Sequence, residues 1–406
     1  MAEPTYRRAV GALVALSIAT FCYVTAEVLP AGMLTILAAD LGRSRSEIGL
    51  LVTGYALVVL LASVPLARLT RRVPRRLLLT GTLGVFVLAT LLSALADNFR
   101  VLLAARLLTA VTHAVFWAVV APAATGLFPA EIRGRMVSRL AIGTALAPVI
   151  GVPLGTWLAQ ETSWRVTFVA LSGVGLVTCA AIAVLLPTAA PRFEGAAWGT
   201  APDRRRFALL LLVIGLTVTG AVVTNTYVTP FLTDVSGFPP ASLGLLLSIS
   251  GSGGVLGTLL VGRFLDRYPW ASLFVLTGLL AGVLLGLSGV GPAPAPTVAL
   301  LVLFSMAFGG LAAAIQHRAL QVAPGGTDVA SAATSSVFNL SIAAGSALGA
   351  VLITTVGLRA TPLFGGVLAA AALGVLLIEA RLPASPRVSP TPEPARRPAS
   401  SGRRHA

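Results

Sequence analysis

Twelve long apolar runs, separated by short polar breaks, constrain this chain more than any single residue does. They fall near 9–37, 46–70, 77–96, 100–127, 137–159, 164–187, 207–232, 242–264, 271–290, 298–317, 329–353 and 361–381. Each is about the 20 residues that a helix needs to cross a hydrocarbon layer. A soluble reading of 406 residues needs two or three domains with polar surfaces. Only 11% of residues are charged, against 56% hydrophobic, where soluble domains carry about a quarter charged. Mean hydropathy is +0.91. The expectation is an all-α polytopic membrane protein with twelve transmembrane helices. Glycine and proline inside the runs do not argue against helices, because neighbouring helices in a membrane re-satisfy freed backbone groups.

The net charge of +15 raises the question of nucleic acid, and the placement of the charges answers it. All 29 basic residues are arginine. With the N-terminus in the cytoplasm and the runs alternating, 23 arginines fall inside and six outside: Arg43, Arg45, Arg100, Arg106, Arg165 and Arg359. The positive-inside rule accounts for the excess, so no nucleic-acid partner is expected and both termini are cytoplasmic. The first run reads as a retained span, since no small-residue cleavage site follows a short apolar core. Thr188 to Arg206 is the longest polar break before the tail. The expected organisation is a six-helix bundle over 1–187, a cytoplasmic linker over 188–206, a second bundle over 207–382 and a disordered tail over 383–406.

The two halves look like copies. "GLLVTGYALVVLLASVPLARLTRRVP" from Gly49 aligns without gaps on "GLLLSISGSGGVLGTLLVGRFLDRYP" from Gly244, at a constant offset of 195. Arg68 pairs with Arg263, Arg72 with Arg267 and Pro74 with Pro269. Parallel repeats about an axis along the membrane normal are a transporter architecture, with the site between pseudo-symmetric halves. The second copy keeps Gly262, Asp266 and Arg267; the first has Ala67 and Arg71 in place of the glycine and the acid. The second copy resembles the cytoplasmic loop signature G-x-x-x-D-R-x-G-R-R of the major facilitator superfamily. There the acid is thought to brace neighbouring helices as a gating loop. The plainer reading of both loops is that they anchor topology.

Further motifs extend the resemblance. "GTALAPVIGVPLG" (Gly143, Ala147, Pro148, Gly151, Pro153, Gly155) is similar to the antiporter motif G-x-x-x-G-P-x-x-G of proton-coupled drug exporters. Thr25, Glu27, Pro30 and Gly32 are similar to the T-x-E-x-x-P-x-G signature of their twelve-helix branch. Arg106, in "AARLLTAVTHAVFWA", lies close to an R-x-x-x-G pattern, with Ala110 at the glycine. "SWRVTF" and "SVFNLSIAAGSALGA" also look like that branch, near the arabinose-efflux-like and chloramphenicol-resistance exporters. The resemblance runs to about Arg381. It implies a multi-pass protein of the bacterial inner membrane that exports small molecules against protons. The glycines of the fifth run also read as packing glue, since small residues let membrane helices approach closely.

Glu27 is the one acidic residue of 14 placed in mid-run rather than in a loop, a tail or at a helix end. An ionised carboxylate at mid-membrane costs at least a few kcal/mol, so such groups are usually paired or protonated, and functional. A carboxyl caught between that cost and the pull of a cation can release and rebind a proton. The other readings are substrate contact and a structural brace near Pro30. Arg106 is the natural partner. It lies about 9 Å below the outer end of its helix and Glu27 about 14 Å below the outer end of its own, at 1.5 Å per residue. The resemblance implies that both helices line the cavity; otherwise Arg106 snorkels to outer headgroups. His113, two turns from Arg106, is either a third proton-coupling group or a hydrogen-bonded structural residue. Tyr23, Thr25, Phe116 and Trp117 are candidates for the cavity wall in the first half, and the aromatics among them, with Tyr55, could stack on a flat ligand. Asn225, Tyr227, Thr229 and Asn339 are candidates in the second, with neutral polar groups where the first half has an acid.

Other chemistry is absent from the sequence. Without lysine there is no phosphate-binding G-x-x-x-x-G-K-[ST], so an ATP-driven pump is not expected. Three histidines and two isolated cysteines, Cys22 and Cys179, offer no metal set. The expectation is a non-enzymatic, cofactor-free exporter of small amphiphiles, functioning as a monomer, with protons and the lipid bilayer as partners. Exporters of sugars or small metabolites and passive facilitators remain alternatives, as does a polytopic enzyme or receptor.

Overall fold

A computed structural model describes residues 3–70, 72–128, 132–187, 201–265, 267–324 and 327–383. Every regular element among them is helical. The elements are α1 (Glu3–Gly32), α2 (Leu34–Asp40), α3 (Arg45–Thr70), α4 (Arg75–Ala94), α5 (Phe99–Thr125), α6 (Arg133–Leu146) and α7 (Val152–Glu161). Then come α8 (Trp164–Leu185), α9 (Arg204–Thr226), α10 (Val228–Pro230), α11 (Leu243–Gly262), α12 (Pro269–Val290), α13 (Pro294–Val322), α14 (Thr327–Thr355) and α15 (Ala360–Ala380).

Twelve helices among the described residues are long and apolar enough to cross a membrane. They match the twelve expected runs to within a few residues, with two local differences. The fifth span joins α6 to α7 through a wider, π-type turn over Ala147–Gly151. The seventh breaks at Tyr227, and α10 leads into another π-type turn over Phe231–Val235. Both breaks sit beside prolines, Pro148 and Pro230, which remove a backbone donor and force a local rearrangement.

Helix ends are fixed by local chemistry. The Asn98 side chain accepts from the Val101 amide at 3.0 Å, satisfying an orphan donor at the start of α5. Ser163 does the same for α8 and Asp203 for α9. Gly42 and Gly357, at φ +59° and +114°, turn the chain where a side chain would be strained.

Two large apolar cores form among the described residues, beside three small clusters. One is built from residues between Ala9 and Leu186, with Tyr227 and Ala350 reaching into it. The other lies between Phe207 and Leu376. In the first, α1 and α6 approach so closely that hydroxyls replace packing. The Gly143 amide donates to Ser17 Oγ at 3.0 Å, and Thr20 Oγ1 donates to the Leu140 carbonyl at 3.3 Å. A Cβ on Gly143 would collide with the Ser17 backbone.

Contacts between the halves gather at the end opposite the chain's N-terminus. Thr229 Oγ1 donates to the Ala31 carbonyl at 3.1 Å, and Ser46 Oγ to the Ala350 carbonyl at 3.1 Å. Ser346 Oγ donates to the Gly49 carbonyl at 2.8 Å, and Gln160 Nε2 to the Pro240 carbonyl at 2.6 Å. Arg45 and Asp234 form an ion pair there. Gly251 of α11 lies against the backbone of Pro148.

Candidate functional site

The antiporter-like segment sets the position of the site. Gly151 packs on Thr25 and Gly155 on Leu29, so the π-type turn and the start of α7 hold the α1 segment that carries Glu27. Thr25 is buried in that contact and its hydroxyl has no hydrogen-bond partner. Glu27 itself is partly covered, with 18% of its side chain exposed.

Two elements, α5 and α3, bring ionisable groups to Glu27 on α1. His113 of α5 faces it, with Nε2 3.9 Å from Glu27 Oε2. The other imidazole nitrogen, Nδ1, is hydrogen-bonded to the hydroxyl of Tyr55 on α3 at 2.8 Å. Arg106, two turns earlier on the same face of α5, is fully buried. Its Nη2 donates to the Glu27 backbone carbonyl at 3.4 Å, and its guanidinium lies 4.7 Å from the centre of the Tyr55 ring. Arg106 and Glu27 are thus neighbours, as expected, but the direct contact is to the backbone carbonyl and not to the carboxylate. The arginine meets the carbonyl and a π face, while the carboxylate meets His113. A guanidinium gains attraction from a desolvated phenol face, and Arg106 Nε is left unpartnered.

An aromatic wall backs these groups. Tyr23 stacks on Phe116 at 4.3 Å, with Phe86 of α4 tilted against it at 4.6 Å and His113 edge-on at 5.6 Å. Tyr23 and Phe116 are fully buried, so they hold the site from behind and do not line an open surface. Trp117 is different: it is 38% exposed and lies 5.9 Å from His113, ring centre to ring centre.

The second half contributes less than its sequence suggested. Tyr227 is buried between Gly49 and Gly349, with its hydroxyl donating to the Ser346 carbonyl at 3.2 Å. Thr229 is buried on Ala31. Both close the junction between the halves; neither faces an open cavity. Asn225 and Asn339 are partly exposed, and Asn339 Nδ2 is turned back to the Ser335 carbonyl at 3.0 Å. Gly262 ends α11, and Arg267 rests over the Tyr268 ring at 5.4 Å. Asp266 and Arg71 lie outside the described residues, as do the linker over 188–200 and the tail from 384.

Sequence reasoning missed three features. Tyr55 registered only as one aromatic among several, although it touches both His113 and Arg106. Phe86 gave no signal. Arg45 and Asp234 read as loop charges; an arginine on the arginine-poor side was the one hint. No group of three or more His, Cys, Asp or Glu residues that could hold a metal is present among the described residues.

A family model described as Major Facilitator Superfamily matches residues 16–337, well over half of the chain. The chain is similar in structure to a bacterial homolog of the human lysosomal transporter Spinster. In the inward-facing, occupied conformation of that protein the TM-score is 0.69 at 17% identity, covering 93% of this chain and 98% of that one. In its inward-facing, unoccupied conformation the TM-score is 0.65 at 18% identity, covering 93% and 96%. It is also similar to the human organic anion transporter MFSD10 (TETRAN), with a TM-score of 0.66 at 16% identity, covering 92% and 100%. At these identities the likeness is one of fold.

Proposed function

The chain belongs to the major facilitator superfamily, a multi-pass membrane transporter, and from that premise we propose that it exports small amphiphilic compounds in exchange for protons. The observation that carries this reading is the Glu27 carboxylate, partly open and set 3.9 Å from the imidazole of His113 inside a membrane-crossing core. A carboxyl and an imidazole in mutual reach, with a buried guanidinium beside them, form a group that changes charge by one proton at modest cost.

The proposed cycle follows from these contacts. The bundles over 1–187 and 207–382 move as two bodies about the site. The end sealed by Arg45–Asp234, Ser346–Gly49 and Thr229–Ala31 is assigned to the outside. Both termini are then cytoplasmic, as the arginine distribution requires, and the membrane is assigned as the bacterial inner membrane, with a monomer as the working unit. A proton taken from outside neutralises Glu27. That proton leaves in the state described here, and cargo bound against Trp117 and Glu27 leaves in the opposite one. Gly262, Asp266 and Arg267 are assigned to the cytoplasmic gating loop.

The exposed indole and one carboxylate favour neutral or cationic amphiphiles. The amides of Asn225 and Asn339 favour a second reading, export of sugars or small polar metabolites. An efflux-deficient bacterial host expressing the protein or Glu27→Gln at matched membrane levels tests both. The host is challenged with cationic and neutral drugs, sugars and organic anions. Protection by the protein and not by the variant supports the reading and gives the cargo class. Equal protection by both removes Glu27 from the coupling.

A further inference from the structure

Tyr55 touches both basic groups of the site, His113 and Arg106, by different means. Its hydroxyl meets His113 Nδ1 at 2.8 Å, and its ring face lies 4.7 Å from the Arg106 guanidinium. It is fully buried. The same helix carries, six and ten residues earlier, Gly49 and Arg45, which make contacts that close the junction between the halves. Those residues lie roughly 9 and 15 Å along one rigid rod. Resting on the proton-coupling reading above, we propose that Tyr55 is a positioning residue that fixes the His113 imidazole toward Glu27 and transmits its protonation state through α3 to the closed end.

The geometry supplies the switch. A neutral imidazole has one donor and one acceptor nitrogen, and the bond made by one fixes the role of the other. When the Tyr55 hydroxyl donates to Nδ1, the ring proton sits on Nε2 and points at the Glu27 carboxylate. When the ring gains a second proton, Nδ1 becomes a donor, so the Tyr55 hydroxyl must turn and accept. One proton on His113 thus reverses a buried hydrogen bond between α5 and α3. The charged and titratable groups facing the imidazole are Glu27 and Tyr23 from α1, Tyr55 from α3 and Arg106 from α5 itself. From α4, Phe86 reaches the cluster through Tyr23. Of these, Tyr55 belongs to the helix that bears Gly49 and Arg45.

Two readouts on the full chain in lipid nanodiscs separate this role from simple packing. The first is the emission of Trp117, taken as the difference from Trp117→Phe, because an imidazolium at this range quenches an indole. The second is a spin-label distance between Ala39→Cys and Ala293→Cys at the closed end, with Cys22→Ala and Cys179→Ala as background. The native protein should show one pH midpoint in both readouts, and His113→Gln should abolish it. Tyr55→Phe, which keeps the ring over Arg106, should move the emission midpoint by about half a pH unit or more and uncouple the spin-label distance from it. 3-Fluorotyrosine at position 55 keeps the side-chain shape and changes only the acidity of the hydroxyl; it should also move the midpoint. If neither replacement alters either readout, Tyr55 only packs and the proposal is wrong, while proton binding at His113 stands. If the native protein shows no His113-dependent midpoint, this proposal falls, while proton exchange at Glu27 stands or falls separately with Glu27→Gln in the efflux-deficient host.

Discussion

Tyr227 of the second half lies so close to Gly49 of the first that a Cβ at position 49 would come within 2.6 Å of the phenol ring carbon Cζ. The closed end therefore depends on a missing side chain. Gly49→Ala should push the halves apart there, since overpacking a tight contact costs about 1–3 kcal/mol. The expected result is a population shift of about tenfold per 1.4 kcal/mol toward the state open at that end. It reads out as faster labelling of a cysteine placed at Thr229. Adding Tyr227→Phe, which removes the nearest atom, should recover part of the closed population.

The Arg45–Asp234 ion pair spans the same junction with both side chains 39% exposed. Exposed pairs are worth about 0.2–1 kcal/mol and are screened by salt. Asp234→Asn should accordingly open the end only mildly, by less than Gly49→Ala, and high salt should mimic it. The reversed pair, Arg45→Asp with Asp234→Arg, should restore closure, and either single reversal should not. Spin-label distances at low and high ionic strength check all four.

Much of the architecture is legible in the sequence, because a membrane leaves the chain few choices. An apolar run of the right length must satisfy its own backbone, so counting runs counts helices. Glu27 is legible for the same reason: a carboxylate in hydrocarbon needs a partner. Which partner is not legible. His113 and Tyr55 are 58 residues apart and Arg45 and Asp234 are 189 apart, at spacings that the internal repeat does not relate. The repeat misleads at Tyr227 and Thr229. They mirror the Glu27 segment in sequence, but correspondence in a repeat says nothing about exposure. When one end is shut, the mirrored positions are buried in the seal.

Asp40 ties the end of α2 to α8. Trp164 Nε1 donates to its Oδ2 at 2.9 Å and Arg165 Nη1 at 2.7 Å. Those two hydrogen bonds hold its carboxyl below the ordinary carboxylate range. A depressed carboxyl contributes stability that is fully present above its unfolded titration range and lost as pH falls through the folded one. Asp40→Asn should therefore lower stability by about 0.2–1 kcal/mol at neutral pH, the range for exposed pairs. The gap to the native protein should narrow in strong acid. Unfolding curves at neutral pH and below about pH 4 decide it; a constant gap would count against the assignment.

Glu379, near the end of α15, is buried to within 2% of its side chain between two arginines, with Arg318 Nη2 at 2.7 Å and Arg206 Nη1 at 3.4 Å. Arg206 also donates to the Leu382 and Pro383 carbonyls at 3.0 and 3.1 Å, so the carboxylate anchors the starts and ends of three helices. Removing one partner of a buried ionic set leaves uncompensated charge and costs about 3–5 kcal/mol, whereas replacing the whole set by apolar residues is often neutral. Glu379→Gln should thus lower the heat-denaturation midpoint strongly. The triple replacement Glu379→Leu, Arg206→Met and Arg318→Met should recover much of it. Neither should move the pH midpoint of Trp117 emission, because Glu379 belongs to the other core. A shift of that midpoint in Glu379→Gln would mean that the two cores share a proton-dependent state, and the division of labour between coupling in the first half and bracing in the second would have to be abandoned.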